Sequence, residues 1–513
     1  MRHSIIVAAT LVAIWSTLSC GAQAPEPTIS STVDVHFRPV QPELFQDSGA
    51  LTDAWADIDG DGDPDRFVGF NGAPSRLYRN DRGNGSVDIA VEVGLSVTRS
   101  VRTAAWGDFD NDGDPDLLLG FAGDAPITAL YRNDGNAGFT NVAGLVGLEL
   151  MEGTTRQASW VDYDADGDLD LFLALRDRAN VLFRNDATGT FTDITQESGI
   201  GDVRRTVGAV WFDTDQDGDL DLVTANMDGD ANGLWQNDGG KFTDTAAGQP
   251  VEAGGRMLGD ASQGSVRVCA ADVNSDGWFD LSFANYGPNA LLYATGPSAW
   301  ADASGAPNLA VNARYDTCAW GDFDNDGGLD LYVNGTVTGG IQYRDWLYHQ
   351  EGNTTFVDVT PSALLQLNAS HGATWVDFDL DGDLDLALTG AAEDAMHYLM
   401  ENLLPGASER QSLQVRVLDA EGHATRPGTE VRVYTAGTDQ LLGTRLVDTG
   451  SSYDAQSDLP LHFGLRNGNP VDVAVTVVGA GRRHTGMVAN ISPVMFSGSI
   501  LTLRIDESGR IVD

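Results

Sequence analysis

Seven times along this 513-residue chain an aspartate-rich nonapeptide recurs, D-x-[DN]-x-D-G-x-x-D. Its ligand-bearing positions 1, 3, 5, 7 and 9 fall at Asp57, Asp59, Asp61, Asp63 and Asp65 in the first copy. The second and third place them at Asp108, Asp110, Asp112, Asp114 and Asp116, and at Asp162, Asp164, Asp166, Asp168 and Asp170. The fourth and fifth use Asp213, Asp215, Asp217, Asp219 and Asp221, then Asp272, Asn274, Asp276, Trp278 and Asp280. The last two use Asp322, Asp324, Asp326, Gly328 and Asp330, then Asp377, Asp379, Asp381, Asp383 and Asp385. Carboxylates packed this closely repel one another unless a cation lies between them. Calcium is a hard ion that takes six to eight oxygens at flexible distances, which suits four side chains plus the backbone carbonyl of position 7. Trp278 and Gly328 serve as well as aspartate there, because only the backbone is used. The glycine at position 6 permits the sharp turn. An EF-hand begins in the same way but needs Glu at position 12 and flanking helices. Position 12 here is Val68, Leu119, Leu173, Thr224, Phe283, Val333 and Leu388, so the loop is a strand-loop-strand variant. Up to seven structural Ca²⁺ are expected.

The segments that must hold these loops repeat with them. Successive loops begin 50 to 59 residues apart, a length that suits one four-stranded unit. An apolar run precedes each loop, with Trp55, Trp106, Trp160, Trp211, Trp320 or Trp375 two residues ahead of six of them. A second run follows the loop, a third carries Leu-aromatic pairs such as Leu77-Tyr78 and Leu130-Tyr131, and a fourth opens on an aromatic such as Phe139 or Phe191. The runs are short, rich in β-formers and bounded by turns such as Asn133-Asp134-Gly135. The seventh unit lacks its fourth run, while a spare strand precedes the first loop between Val35 and Phe45. The expected fold is all-β: a seven-bladed β-propeller over residues 33–405, closed by that N-terminal strand. Residues 406–513 carry no aspartate loop and read as a small C-terminal β-sandwich.

Net charge is −45, which excludes nucleic acid and anionic membrane surfaces as partners. Arg2 and the apolar run Ile5 to Trp15 read as an export signal too short to span a bilayer. Thr17-Leu18-Ser19-Cys20 resembles a lipobox with Cys20 lipidated, Thr standing in place of the usual first Leu, which makes 1–20 the signal and 21–32 a flexible tether. Ala22-Gln23-Ala24 offers ordinary signal cleavage as the alternative. The chain is therefore expected in the cell envelope or at the surface on a lipid anchor, and otherwise secreted. Cys269 and Cys318 lie near the ends of the first strands of units five and six. They read either as a disulfide between adjacent units or as two small buried residues.

The run W-G-D-F-D-N-D-G-x-x-D-L, with L-Y-R-N-D-G-N and F-T-D-I-T, resembles the FG-GAP/VCBS repeats of integrin-α-type propellers. Tyr453-Asp454-Ala455-Gln456-Ser457 and His462-Phe463-Gly464-Leu465 resemble the ASPIC/UnbV domain. Together they resemble bacterial relatives of the cartilage acidic protein family. That resemblance implies calcium-binding extracellular proteins with adhesion or interaction roles and no defined reaction.

Arginines gather where the fourth strand of one unit leads into the next: Arg102, Arg156, Arg205, Arg267 and Arg314, with His371 at the matching place in unit seven. Such a face could hold an acidic glycan or a carboxylate-bearing protein, or the arginines could pair with their acidic neighbours. The competing reading is a calcium-dependent polysaccharide lyase or hydrolase using Arg, Tyr315 and His371. No nucleophile or metalloprotease motif supports it.

Overall fold

The computed structural model describes residues 35–512 apart from 136–137, 187, 249–257, 259–263, 304–308, 310–311, 339–340, 353, 366, 368–370, 392–395, 404–410 and 451. The export signal, Cys20, the tether and the 405–406 boundary lie outside the described residues. Among the described residues, the α-helices are three single turns, Ala143–Val146, Thr195–Ser198 and Ser362–Leu365; the rest of the regular structure is almost entirely strand. No described helix is long and apolar enough to cross a membrane.

Each aspartate loop joins two antiparallel strands. In unit three, Thr155–Val161 enters the loop and Asp170–Leu175 leaves it, followed by Val181–Asn185 and Phe191–Asp193 in simple meander order. Unit four repeats this with Thr206–Phe212, Asp221–Asn226, Gly233–Asn237 and Phe242–Asp244. In unit seven, Gly372–Val376, Asp385–Thr389 and Tyr398–Asn402 are completed by the N-terminal strand Phe37–Pro39, with Phe37 opposite Asn402.

The expectation of a closed seven-bladed β-propeller is corrected by the sheet hydrogen bonding. Units one and two, joined by the tail strand Ala455–Gln456, form one open nine-stranded sheet, and units five and six one open eight-stranded sheet. The cause lies in two overlong second strands. Asp65–Pro74 runs past its own partner and pairs with Thr98–Gly107 of unit two, Asn71 opposite Ser100. Asp280–Pro288 does the same with Asn312–Gly321, Tyr286 opposite Arg314. The fold is thus all-β, with two extended open sheets beside several four-stranded ones.

Trp55, Trp106, Trp160 and Trp211 are buried, at most 2% exposed. Each ring contributes on the order of 2–3 kcal/mol by burial. Trp160 and Trp375 also tie units together: Trp160 Nε1–H donates to Ala105 O at 3.2 Å and Trp375 Nε1–H to Ala319 O at 3.1 Å. Cys269 and Cys318, on the first strands of units five and six, are joined by a disulfide with Cα atoms 6.3 Å apart.

The tail builds two four-stranded sheets around one apolar core that includes Val415, Val433, Phe463 and Val475. Its segment Asp448–Asp458 leaves those sheets and runs among the first strands of the repeats. Ala455 and Gln456 pair in parallel with Ala104 and Ala105.

Candidate metal centres and the tail that covers them

All seven loops share one backbone conformation. Position 6 is glycine with φ between +87° and +99°. Position 4 is also left-handed, and only in loop one is it glycine: Gly60, Asn111, Ala165, Gln216, Ser275, Asn325 and Leu380. L-residues accept that conformation at a cost of about 1–2 kcal/mol.

Turn hydrogen bonds fix the carboxylates. In loop two, Asp108 Oδ1 accepts from Asp112 N–H at 3.0 Å, and Oδ2 from Gly113 N–H at 2.9 Å. Asp112 Oδ1 accepts from Asp114 N–H at 3.0 Å. Position 9 is held from two sides: Asp116 accepts Phe109 N–H at 3.2 Å and Asn133 N–H at 2.8 Å. Unit one repeats the pattern with Asp65, Ile58 and Asn80, and unit three with Asp170, Tyr163 and Asn185. The asparagine that closes the third strand also binds across units. Asn133 Nδ2 donates to Ile58 O of loop one at 3.1 Å, Asn185 Nδ2 to Phe109 O of loop two, and Asn80 Nδ2 to Phe378 O of loop seven. The Asn two residues after the Leu-aromatic pair in units one to four was the available sequence signal for this tie.

The electrostatics call for a cation. Burial, reinforced by neighbouring aspartates, pushes Asp116 up to about 9 and Asp65, Asp280 and Asp383 to about 8; Asp170 and Asp385 are also raised well above the carboxylate range. Asp110 Oδ1, Asp164 Oδ1, Asp213 Oδ1 and Asp383 Oδ1 are buried with no hydrogen-bond partner. Ligand atoms of Asp108, Asp110 and Asp116, of Asp162, Asp164 and Asp170, and of Asp213, Asp215 and Asp221 lie within 4.8 Å of one another in each set. Several of these clusters could therefore chelate a metal ion, and an oxygen-only donor set fits a hard one. Loop six differs. His349 Nδ1 lies 3.1 Å from Asp330 Oδ1; burial opposes its charge, but Asp330, Asp324 and Asp326 lift the imidazole to about 9.

The tail lies over these loops. Arg483 bridges Asp213 at 2.5 Å and Glu430 at 2.7 Å, and Arg432 donates to Gly277 O at 2.9 Å. Gln414 bonds Asp377, Arg466 reaches Asp326, and Gly481 N–H donates to Asp219 Oδ1 at 2.7 Å. Beneath them the segment Asp448–Asp458 joins the strands that lead into the loops. Gln456 Oε1 accepts from Trp160 N–H at 2.6 Å, and its Nε2 donates to Trp160 O at 3.1 Å. Thr449 Oγ1 makes both the corresponding bonds to Trp211, and Ser457 Oγ accepts from Trp55 N–H at 3.1 Å. Sequence reading treated this motif as a family marker and missed its placement.

The arginine group divides. Arg156 and Arg267 are buried, with Arg156 Nη1 3.8 Å from Asp454 Oδ2; burial lowers Arg267 to about 10 against the pull of Asp454 and Asp448. His371 Nδ1 lies 3.0 Å from Asp316 Oδ2, and its ring meets Tyr453 at 4.3 Å. These three surround the tip of the tail segment. Arg102 is half-buried, Arg205 pairs with Asp230 at 2.8 Å with its side chain 43% exposed, and exposed Arg314 lies over Tyr286. Tyr315 is 1% exposed, its hydroxyl accepting from Trp346 Nε1–H at 2.9 Å, so neither it nor His371 presents a surface base.

The model of the FG-GAP-like repeat matches residues 57–119, 162–224, 213–281, 272–333 and 336–388. The chain belongs to the FG-GAP-like repeat family. This FG-GAP-like protein is 26% identical to cartilage acidic protein 1 of Mus musculus over 507 residues, covering 90% of this chain and 75% of that protein. The Homo sapiens protein is likewise 26% identical, with 89% and 73% covered. Coverage of that extent takes in the ASPIC/UnbV-like tail as well as the FG-GAP-like repeats. Among solved structures, an Agrocybe aegerita lectin recognising non-reducing terminal N-acetylglucosamine overlaps 61% of this chain and 79% of its own, at 16% identity and TM-score 0.40.

Proposed function

We propose that this chain is an exported, calcium-stabilised binding scaffold acting as an adhesion or interaction module, tethered to the envelope through Cys20. The carrying observation is the shared loop geometry: preset carboxylates with buried, unpartnered oxygens on Asp110, Asp164, Asp213 and Asp383. Calcium completes each loop and cancels the repulsion within it. Affinities in the roughly 10⁻⁴–10⁻³ M range of extracellular modules are expected. Because the tail covers the loops, a partner meets the opposite ends of the first strands, where exposed Arg314 and half-buried Arg205, which a partner would draw from Asp230, suit a carboxylate-bearing glycan or protein.

The test is a melt of the purified chain with calcium and with EGTA, beside elemental analysis of bound metal. A large fall in melting temperature on chelation and several calcium ions per chain are expected. A melt indifferent to chelator, with no calcium retained, contradicts the reading. Cys20→Ser should release the chain from the membrane fraction. Arg205→Ala with Arg314→Ala should weaken retention on a carboxylated-glycan column.

A further inference from the structure

One position on the third strand of each unit borders the aspartate loop. It immediately precedes the residue whose backbone N–H holds the position 9 carboxylate, as Gln350 N–H holds Asp330 Oδ1 at 2.8 Å in unit six. Units one to three place Arg79, Arg132 and Arg184 there, unit four Gln236, unit five Tyr293 and unit seven Glu401. Arg79 and Arg132 pair with Asp81 and Asp134 outside the loop, and Glu401 with Arg38. Gln236 Nε2 donates to Asp215 at position 3 of its loop at 3.1 Å, so a side chain here can reach the carboxylates.

Unit six has His349, and its ring turns into the loop. Nδ1 lies 3.1 Å from Asp330 Oδ1 and 4.0 Å from Asp324 Oδ2. Ligand atoms of His349, Asp324 and Asp326 lie within 4.8 Å of one another. The ring is 6% exposed and edge-on to Phe323. Asp324 is 1% exposed, whereas position 3 is partly or fully exposed in the other six loops. The donor set of loop six is therefore mixed and closed. Calcium prefers oxygen throughout, water included, and takes about six to eight donors. Imidazole nitrogen suits first-row transition ions, which accept fewer donors at roughly 2.0–2.2 Å. At such distances donors already in mutual contact hold an ion without a water-sized cavity between them. A protonated imidazole sets one positive charge against the carboxylates of Asp322, Asp324, Asp326 and Asp330. A divalent ion sets two, and its binding releases that proton.

We propose that loop six holds a first-row transition-metal ion such as zinc, with His349 Nδ1 as a ligand beside Asp324, Asp326 and Asp330, while calcium fills the other loops. The inference rests on the chelating-loop reading and narrows it for this one loop. Dialysis of the whole chain against millimolar calcium with micromolar zinc, followed by elemental analysis, tests it. One zinc per chain should be retained beside calcium, and zinc X-ray absorption should show one imidazole ligand. His349→Gln installs the residue that unit four carries. It should lower zinc affinity on the order of a hundredfold, with calcium still bound and the melting temperature in calcium little changed. Should that variant fail to fold, the absorption spectrum of the unaltered chain decides alone. Calcium bound with no zinc retained, zinc held without imidazole, or zinc affinity unchanged in folded His349→Gln would each overturn the proposal and leave the calcium reading intact. A chain that retains zinc but no calcium overturns the calcium reading instead.

Discussion

At the scale of single residues, the aspartate loops depend on backbone angles as much as on carboxylates. Gly113 has φ +92°, and the nearest atom to an added Cβ is His423 Cδ2 at 3.9 Å, so the cost of a side chain there is conformational rather than steric. Gly113→Ala should destabilise by about 1–3 kcal/mol and lower the calcium stoichiometry by one, read by urea unfolding and elemental analysis. A second residue contributes to the loss of stability in acid. His397 is fully buried, its Nε2 2.9 Å from the Tyr78 hydroxyl and its Nδ1 2.9 Å from Asp47 O. Burial, with nearby Arg66, lowers it to about 3. Below its unfolded value of about 6.5 the unfolded chain takes up a proton that the folded chain refuses. Stability contributed by this residue is therefore complete above about pH 6.5 and is lost as pH falls toward 3. His397→Phe, set among Phe45, Phe70 and Tyr78, should flatten the decline in melting temperature over that window, at some loss of stability at neutral pH. An unchanged acid limb would show that the proton uptake lies elsewhere.

At the scale of the element, the unit is a hairpin whose loop is buttressed by the next unit. Asn133 holds Ile58 O of loop one and also accepts from Gly135 N–H at 3.0 Å. Asn133→Ala should cost about 1–3 kcal/mol and weaken calcium binding in loop one as well as loop two, seen as two altered steps in a titration. This cross-unit bond explains what the sequence made legible and what it did not. Strand order within a unit followed from short runs rich in β-formers and the turn residues between them, and the N-terminal strand's place beside Tyr398–Asn402 followed from counting runs. The sheet boundaries were not readable, because they depend on how far Asp65–Pro74 and Asp280–Pro288 continue past their partners. Ten and nine residues of unbroken strand carry Gly and Pro near their ends, which read as turns. The loop carboxylates were legible because they recur at fixed spacing along the chain. The left-handed position 4 was hidden, since Gln216, Ala165 and Leu380 give no local sign of it.

At the scale of the whole molecule, the tail and the repeats share their interior. Tyr453, Asp454, Ala455 and Gln456 are at most 3% exposed, among strands that belong to the repeats. Gln456→Ala removes both bonds to Trp160 and leaves its buried N–H and carbonyl unmatched, a loss of about 2–4 kcal/mol. Because Thr449 and Ser457 make similar bonds to Trp211 and Trp55, tail and repeats should unfold together. Tryptophan fluorescence and far-ultraviolet circular dichroism should report coincident transitions; two separated midpoints would show independent domains. The same interleaving makes the chain a test of its own completeness. Synthesis runs from the N-terminus, so the repeats emerge well before the residues that fill their centre. A product cut short anywhere before Ser457 leaves the backbone of Trp55, and with earlier cuts that of Trp160 and Trp211, without its partner. Premature stops before Ser457 therefore yield chains that lack these bonds and that proteases can distinguish from chains carrying the whole segment.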